Sequence, residues 1–146
     1  MRKFLVVVAL SLLAAACTSS TPGGMSRWME AYGPNFPVPK PGLAAFYIVR
    51  GEAPPDAPPI NITRGGRLAG MVTGNTWLLF DLAPGLHDFR AAGFTESNEL
   101  IVTTAPGETR FLLVQETTPG NAQLLEIAPA EGRRLVRQGQ HMQELF

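Results

Sequence analysis

A single cysteine, Cys17, occurs in 146 residues. No disulfide can form within the chain, and zinc sites built on paired thiolates are excluded. Histidine is almost as scarce: His87 and His141 are the only two, and they lie far apart in sequence. With one after a turn and the other near the end of the sequence, two histidines so placed are not expected to make a metal site, and no cofactor is expected. Charge is sparse and balanced, with Asp, Glu, Lys and Arg at 16% of residues and a formal net charge of zero. Such a balance gives no electrostatic footprint for nucleic acid. Long apolar runs are missing as well. Phe4 to Leu13, broken only by Ser11, is about half the length of roughly 20 residues that a membrane-spanning helix needs. There is no Gly-x-Ser-x-Gly elbow, and Gly65-Gly66 has neither a following helix nor the Lys-Ser/Thr of a phosphate loop.

The N-terminus has a definite pattern. Met1-Arg2-Lys3 is charged, the apolar stretch follows, and Ala14, Ala15 and Ala16 end it. That is the three-part layout of a secretory signal peptide, here residues 1–16. Ala14-Ala15-Ala16-Cys17 resembles the lipobox of bacterial lipoproteins, with Ala14 standing where leucine is commonest. The resemblance implies a lipidated Cys17 carrying diacylglyceryl, cleavage just before it, and acylation (palmitate) of the new amino terminus. Two or more acyl chains anchor a protein stably, whereas one binds reversibly. Thr18 rather than aspartate follows the cysteine, and by the same resemblance this implies the outer membrane, facing the periplasm. Ordinary cleavage at the Ala-x-Ala spelling is the other route; it would leave Cys17 as a free N-terminal thiol. Both routes export the chain. Loss of Arg2 and Lys3 leaves ten basic against twelve acidic side chains, a net charge of −2.

Residues 17–42 read as a tether. A small, polar stretch follows Cys17, and prolines at 34, 37, 39 and 41 favour an extended, semi-rigid backbone. Trp28 and Tyr32, four apart, are expected to dock on the domain, or else on the membrane interface. Residues 43–128 read as an all-β domain, an antiparallel β-sandwich of seven to eight short strands. The expected strands are Leu43–Arg50, Pro59–Thr63, Arg67–Val72, Thr76–Leu82, Leu86–Ala92, Glu99–Thr104, Thr109–Thr117 and Ala122–Ala128. Pro-Gly dipeptides at 41–42, 84–85, 106–107 and 119–120 punctuate them as type II turns. Hairpins are expected across Arg64-Gly65-Gly66, Ala83-Pro84-Gly85 and Ala105-Pro106-Gly107. Residues 129–146 read as a short C-terminal helix and then a frayed tail.

The stretch from Ile60 to Phe94 resembles PEGA-type domains, small immunoglobulin-like β-sandwiches. The residues that carry the likeness are Ile60, Ile62, Gly70, Pro84, Gly85, His87, Gly93 and Phe94. With the lipoprotein start, the whole is similar to small bacterial lipoproteins of unknown function. The resemblance implies a fold and an envelope location but no catalytic set. The function expected is a lipid-anchored periplasmic binding or scaffolding module, without catalysis, whose partners are membrane lipid, envelope proteins or peptidoglycan. The tempting site residues are His87 and Asp81, which could centre a carbohydrate-active or hydrolytic site, and Trp77, which with Phe80 could line a pocket for a small apolar ligand. Strand alternation sets His87 with Phe89 and Ala91 on the inward face, so a histidine bonded to a turn carbonyl is the structural reading. Arg133, Arg134 and Arg137 form a basic patch on the expected helix: a solvated face, or one that touches anionic lipid headgroups.

Overall fold

The computed structural model of the chain describes residues 32–92, 97–118 and 121–145; the signal region, Cys17 and Trp28 lie outside these. The fold is mostly β with one short helix. The strands are β1 (Ala44–Arg50), β2 (Ile60–Arg64), β3 (Arg67–Val72), β4 (Thr76–Leu82), β5 (Gly85–Ala92), β6 (Ser97–Thr104), β7 (Thr109–Thr118), β8 (Asn121–Ile127) and β9 (Gln140–His141). Helix α1 (Pro129–Gln138) lies between β8 and β9. A strand falls on each of the eight runs expected, and β9 is an addition.

The hydrogen-bonded order is β3-β2-β5-β6-β8-β7-β1-β4-β9. At its middle, β6 and β8 share only the pair Ser97 and Ala122. On one side of this thin junction lie β3-β2-β5-β6, on the other β8-β7-β1-β4-β9. Phe46, Ile48, Leu78, Phe80, Leu112 and Leu124 from the second group share one buried cluster with Ile60, Ile62, Val72, Phe89, Ala91 and Val102 from the first. The two layers therefore face each other across a common core, a sandwich-like arrangement.

The pairings depart from an all-antiparallel scheme. β1 pairs with β7 in parallel over Ala45–Arg50, and β9 pairs in parallel with β4. Only one of the three expected hairpins forms in place, β2 with β3. Its turn puts Gly65 and Gly66 at φ 57 and 74, both positive, as a type I′ turn demands. Ala83–Gly85 and Ala105–Gly107 make corners instead. β4 pairs with β1 and β9 while β5 pairs with β2 and β6, so the chain changes layer at Pro84. The same happens at Pro106, since β7 pairs with β1 and β8. A three-residue turn suits either geometry. Packing decides, because the apolar faces of β4 and β5 are satisfied by opposing one another: Phe80 and Phe89 lie 6.2 Å apart across the core.

β1 is buried along its whole length, which explains its unbroken apolar run. Ala44, Phe46 and Ile48 enter the central core. The odd ones, Ala45, Tyr47 and Val49, join Trp77, Leu79, Phe111 and Val136 in a second cluster on the outer face of the five-stranded layer. Helix α1 covers that face. It approaches so closely that a Cβ on Gly132 would lie 2.2 Å from Cγ of Phe111, so only glycine fits there. Burying each large apolar side chain contributes about 1.5–3 kcal/mol, and this second cluster makes the helix part of the fold.

Residues 139–145 do not form the frayed tail expected. Gln140 donates its N–H to the Asn75 carbonyl, and Met142 donates to that of Trp77. Leu145 then donates to the carbonyl of Ala69 on β3 at 2.9 Å. The tail thus bridges the two terminal strands of the order, β9 and β3.

Candidate functional site

The outer face of β1, β4 and β7 gathers most of the unusual side chains. Alternation along β4 sends Trp77 and Leu79 outward and Leu78 and Phe80 inward. Trp77 is 1% exposed. Its ring lies 4.6 Å from that of His141 and 5.8 Å from that of Tyr47. Tyr47 in turn stacks on Phe111 at 5.1 Å. Phe36, from the proline-rich segment, closes the cluster at 5.5 Å from Tyr47 and 5.9 Å from Phe111. The described part of the expected tether, residues 32–42, is therefore laid against the domain. The Tyr47 hydroxyl fastens it by donating to the Gly33 carbonyl at 2.9 Å.

On the other side of Trp77, His141 Nε2 meets Glu144 Oε1 at 2.9 Å. The same carboxylate oxygen accepts the N–H of Leu79. A side chain thus satisfies the edge of β4 where β9 has ended. His141, expected in a loose tail, is 8% exposed.

The two residues proposed as a catalytic pair are not brought together. His87 lies on the core side, with its ring 5.2 Å from Phe46 and its Nε2 2.8 Å from the Ala83 carbonyl. With Nε2–H donating to that carbonyl, Nδ1 is the nitrogen left bare in a neutral ring. Asp81 lies on the opposite face of β4, beside Tyr47 and Leu79, and pairs with Lys40 at 3.6 Å. Asp88 turns away as well; its Oδ1 accepts the Gly65 N–H at 3.0 Å. Trp77 and Phe80 also fail to line one pocket, because they belong to opposite faces of the same strand. Among the described residues no group of three His, Cys, Asp or Glu side chains could hold a metal.

Concave space lies elsewhere. A crevice of about 100 Å³ runs beneath the docked segment, lined by Tyr32, Val38, Lys40, Tyr47, Leu79 and Asp81. An open groove of about 530 Å³ separates the loop Pro54–Pro58 from Glu116–Thr118. Arg50 underlies that loop. Its side chain is 3% exposed; it donates to the carbonyls of Pro58 at 2.8 Å and Val72 at 3.4 Å, and pairs with Glu116 at 3.1 Å.

Burial, then the nearby Asp81 charge, hold the Tyr47 phenol well above its ordinary 10.0. The folded state keeps this proton where the unfolded chain loses it. Stability is therefore unaffected by Tyr47 below pH 10 and falls as pH rises beyond it, because the unfolded state then binds fewer protons. Urea unfolding at pH 8 and pH 11 is expected to show this alkaline loss, and Tyr47→Phe to flatten it. An equal slope in both proteins would assign the loss to other groups.

The sequence reading missed Tyr47, Arg50, Phe36 and Glu144. The uninterrupted run Ala44–Val49 held a signal for the first, since a strand without alternation is buried on both faces. Nothing local marked Glu144. In comparisons with protein-family models and with curated proteins, the chain matches none.

Proposed function

We propose that the protein is a lipid-anchored binding or scaffolding module of the bacterial envelope. Its sandwich-like domain, of the PEGA kind, is held at the periplasmic face of the outer membrane by acylated Cys17. One observation carries this reading: a charged start, a short apolar run and Ala14-Ala15-Ala16 lead directly to the only cysteine of the chain. Among the described residues no helix is long and apolar enough to cross a membrane. The hold on the bilayer proposed here is the acyl group on Cys17. The partners proposed are envelope proteins or peptidoglycan. The separation of His87 from Asp81 favours this reading over a hydrolase centred on them.

Cys17→Ser is expected to shift the protein from the membrane fraction to the soluble one and to leave unprocessed precursor. Unchanged fractionation and processing would refute the anchor. Crosslinking in the native envelope, read by mass spectrometry, tests the scaffold: a recurrent protein or glycan supports it, and lipid alone removes it.

A further inference from the structure

Four of the eight arginines among the described residues hold a carboxylate in an ion pair. Arg50 has Glu116, Arg90 has Glu99, Arg110 has Glu108 and Glu126, and Arg134 has Glu131. Lys40 has Asp81. Arg133 and Arg137 form no ion pair among the described residues, and both are exposed. They are four apart on α1, hence on one face of the helix. Their guanidinium carbons sit 5.5 and 5.1 Å from the centroid of the Phe36 ring. Stacking on an aromatic ring orients both groups without consuming their hydrogen-bond donors.

The position of this pair matters more than its charge. Phe36 belongs to the segment through which the chain enters the fold, and Val38 beside it is 83% exposed. Tyr32 follows Cys17 by fifteen residues, which even fully extended span only about 50 Å. Arg133 and Arg137 therefore lie on the side of the domain where the chain arrives from its anchor.

We infer that the face formed by Arg133, Arg137 and Phe36 is the surface the domain turns toward an anionic membrane, binding lipid phosphates through the two guanidiniums. The inference rests on the proposed acylation of Cys17. A tether supplies an effective concentration of order mM, so weak contacts suffice to set orientation. Each arginine close to an anionic leaflet favours the bound state about fivefold, and two together about thirtyfold. The attraction fades beyond a Debye length of about 8–10 Å.

The test uses the acylated full chain on vesicles of phosphatidylcholine alone and on vesicles containing phosphatidylglycerol. Phenylglyoxal modifies exposed arginines, and mass spectrometry reads the rate at each one. Arg133 and Arg137 are expected to react roughly tenfold or more slowly on the anionic vesicles, as that thirtyfold preference requires, while Arg67 keeps its rate. High salt should restore reactivity. Equal rates on both vesicles would overturn the inference. So would equal protection by inorganic phosphate on neutral vesicles, which would mark a small-anion site instead. Flotation with neutral vesicles reads the acyl anchor separately, so protein that floats with neither vesicle refutes the anchor, while protein that floats without arginine protection refutes this face.

Discussion

Replacing Trp77 by alanine is expected to destabilise the protein by about 3–5 kcal/mol and to loosen two distant segments together. The indole is almost wholly buried, so truncation removes its transfer energy and leaves a cavity the sheet cannot fill. Gly33 packs directly against its far edge, and His141 lies against its face. The segment before β1 and the segment after α1 therefore share one support. Domains of this size have total stabilities of about 5–15 kcal/mol, so the loss is a large fraction of the whole. Urea unfolding measures the magnitude, and limited proteolysis reads the segments, with new cleavage expected on both sides of the domain. Trp77→Phe is the control. It keeps an aromatic ring and removes a buried indole N–H that has no partner among the described residues, so it should cost under about 1.5 kcal/mol. An alanine variant that loses less than the phenylalanine one would show that the two segments are held by something else.

Arg50→Met should cost about 3 kcal/mol, near the lower end for breaking a buried ion pair. The lower end applies because Glu116 keeps 28% of its side chain exposed, and water can take over part of its carboxylate. The carbonyls of Pro58 and Val72 lose a charged donor, each contact being worth about 1.5–3 kcal/mol where made well. Arg50→Lys is not expected to rescue, since a single ammonium cannot serve three acceptors set in different directions. Adding Glu116→Gln to Arg50→Met should cost less than the sum of the single changes, the signature of coupling. Strict additivity, or an Arg50→Met variant within 1 kcal/mol of the parent, would remove the clamp from the account of how the loop at Pro54–Pro58 is held.

The strands were legible because β-branched and aromatic runs alternate with Pro-Gly marks. Pro41-Gly42 and Pro106-Gly107 do form the expected turns, with Leu43 N–H donating to Lys40 and Glu108 N–H to Ala105. Partners were not legible. Ala83-Pro84-Gly85 spells a hairpin and a corner equally well, and only the burial of Phe80 against Phe89 separates them. Some of the site could have been read by parity alone. Residues 77 and 80 cannot share a face of one strand, and neither can 80 and 81. His87 was placed by that logic on the side it occupies. The outer cluster escaped because it joins residues more than a hundred positions apart: Phe36 meets Arg137, and no local pattern announces such a meeting.

The bridge from His141 to Leu145 also constrains the order in which the molecule can be built. Leu145 reaches Ala69, a contact whose loop spans most of the domain, and such long-range contacts form late. Until they do, β3 and β4 each present an uncovered row of peptide groups, the template by which sheets pair with strangers. The interval between collapse and this final closure is thus the period of greatest exposure to misassembly. A few residues after the helix shorten that exposure: β9 takes up Thr76 and Trp77, Glu144 takes the N–H of Leu79, and Leu145 reaches across to Ala69.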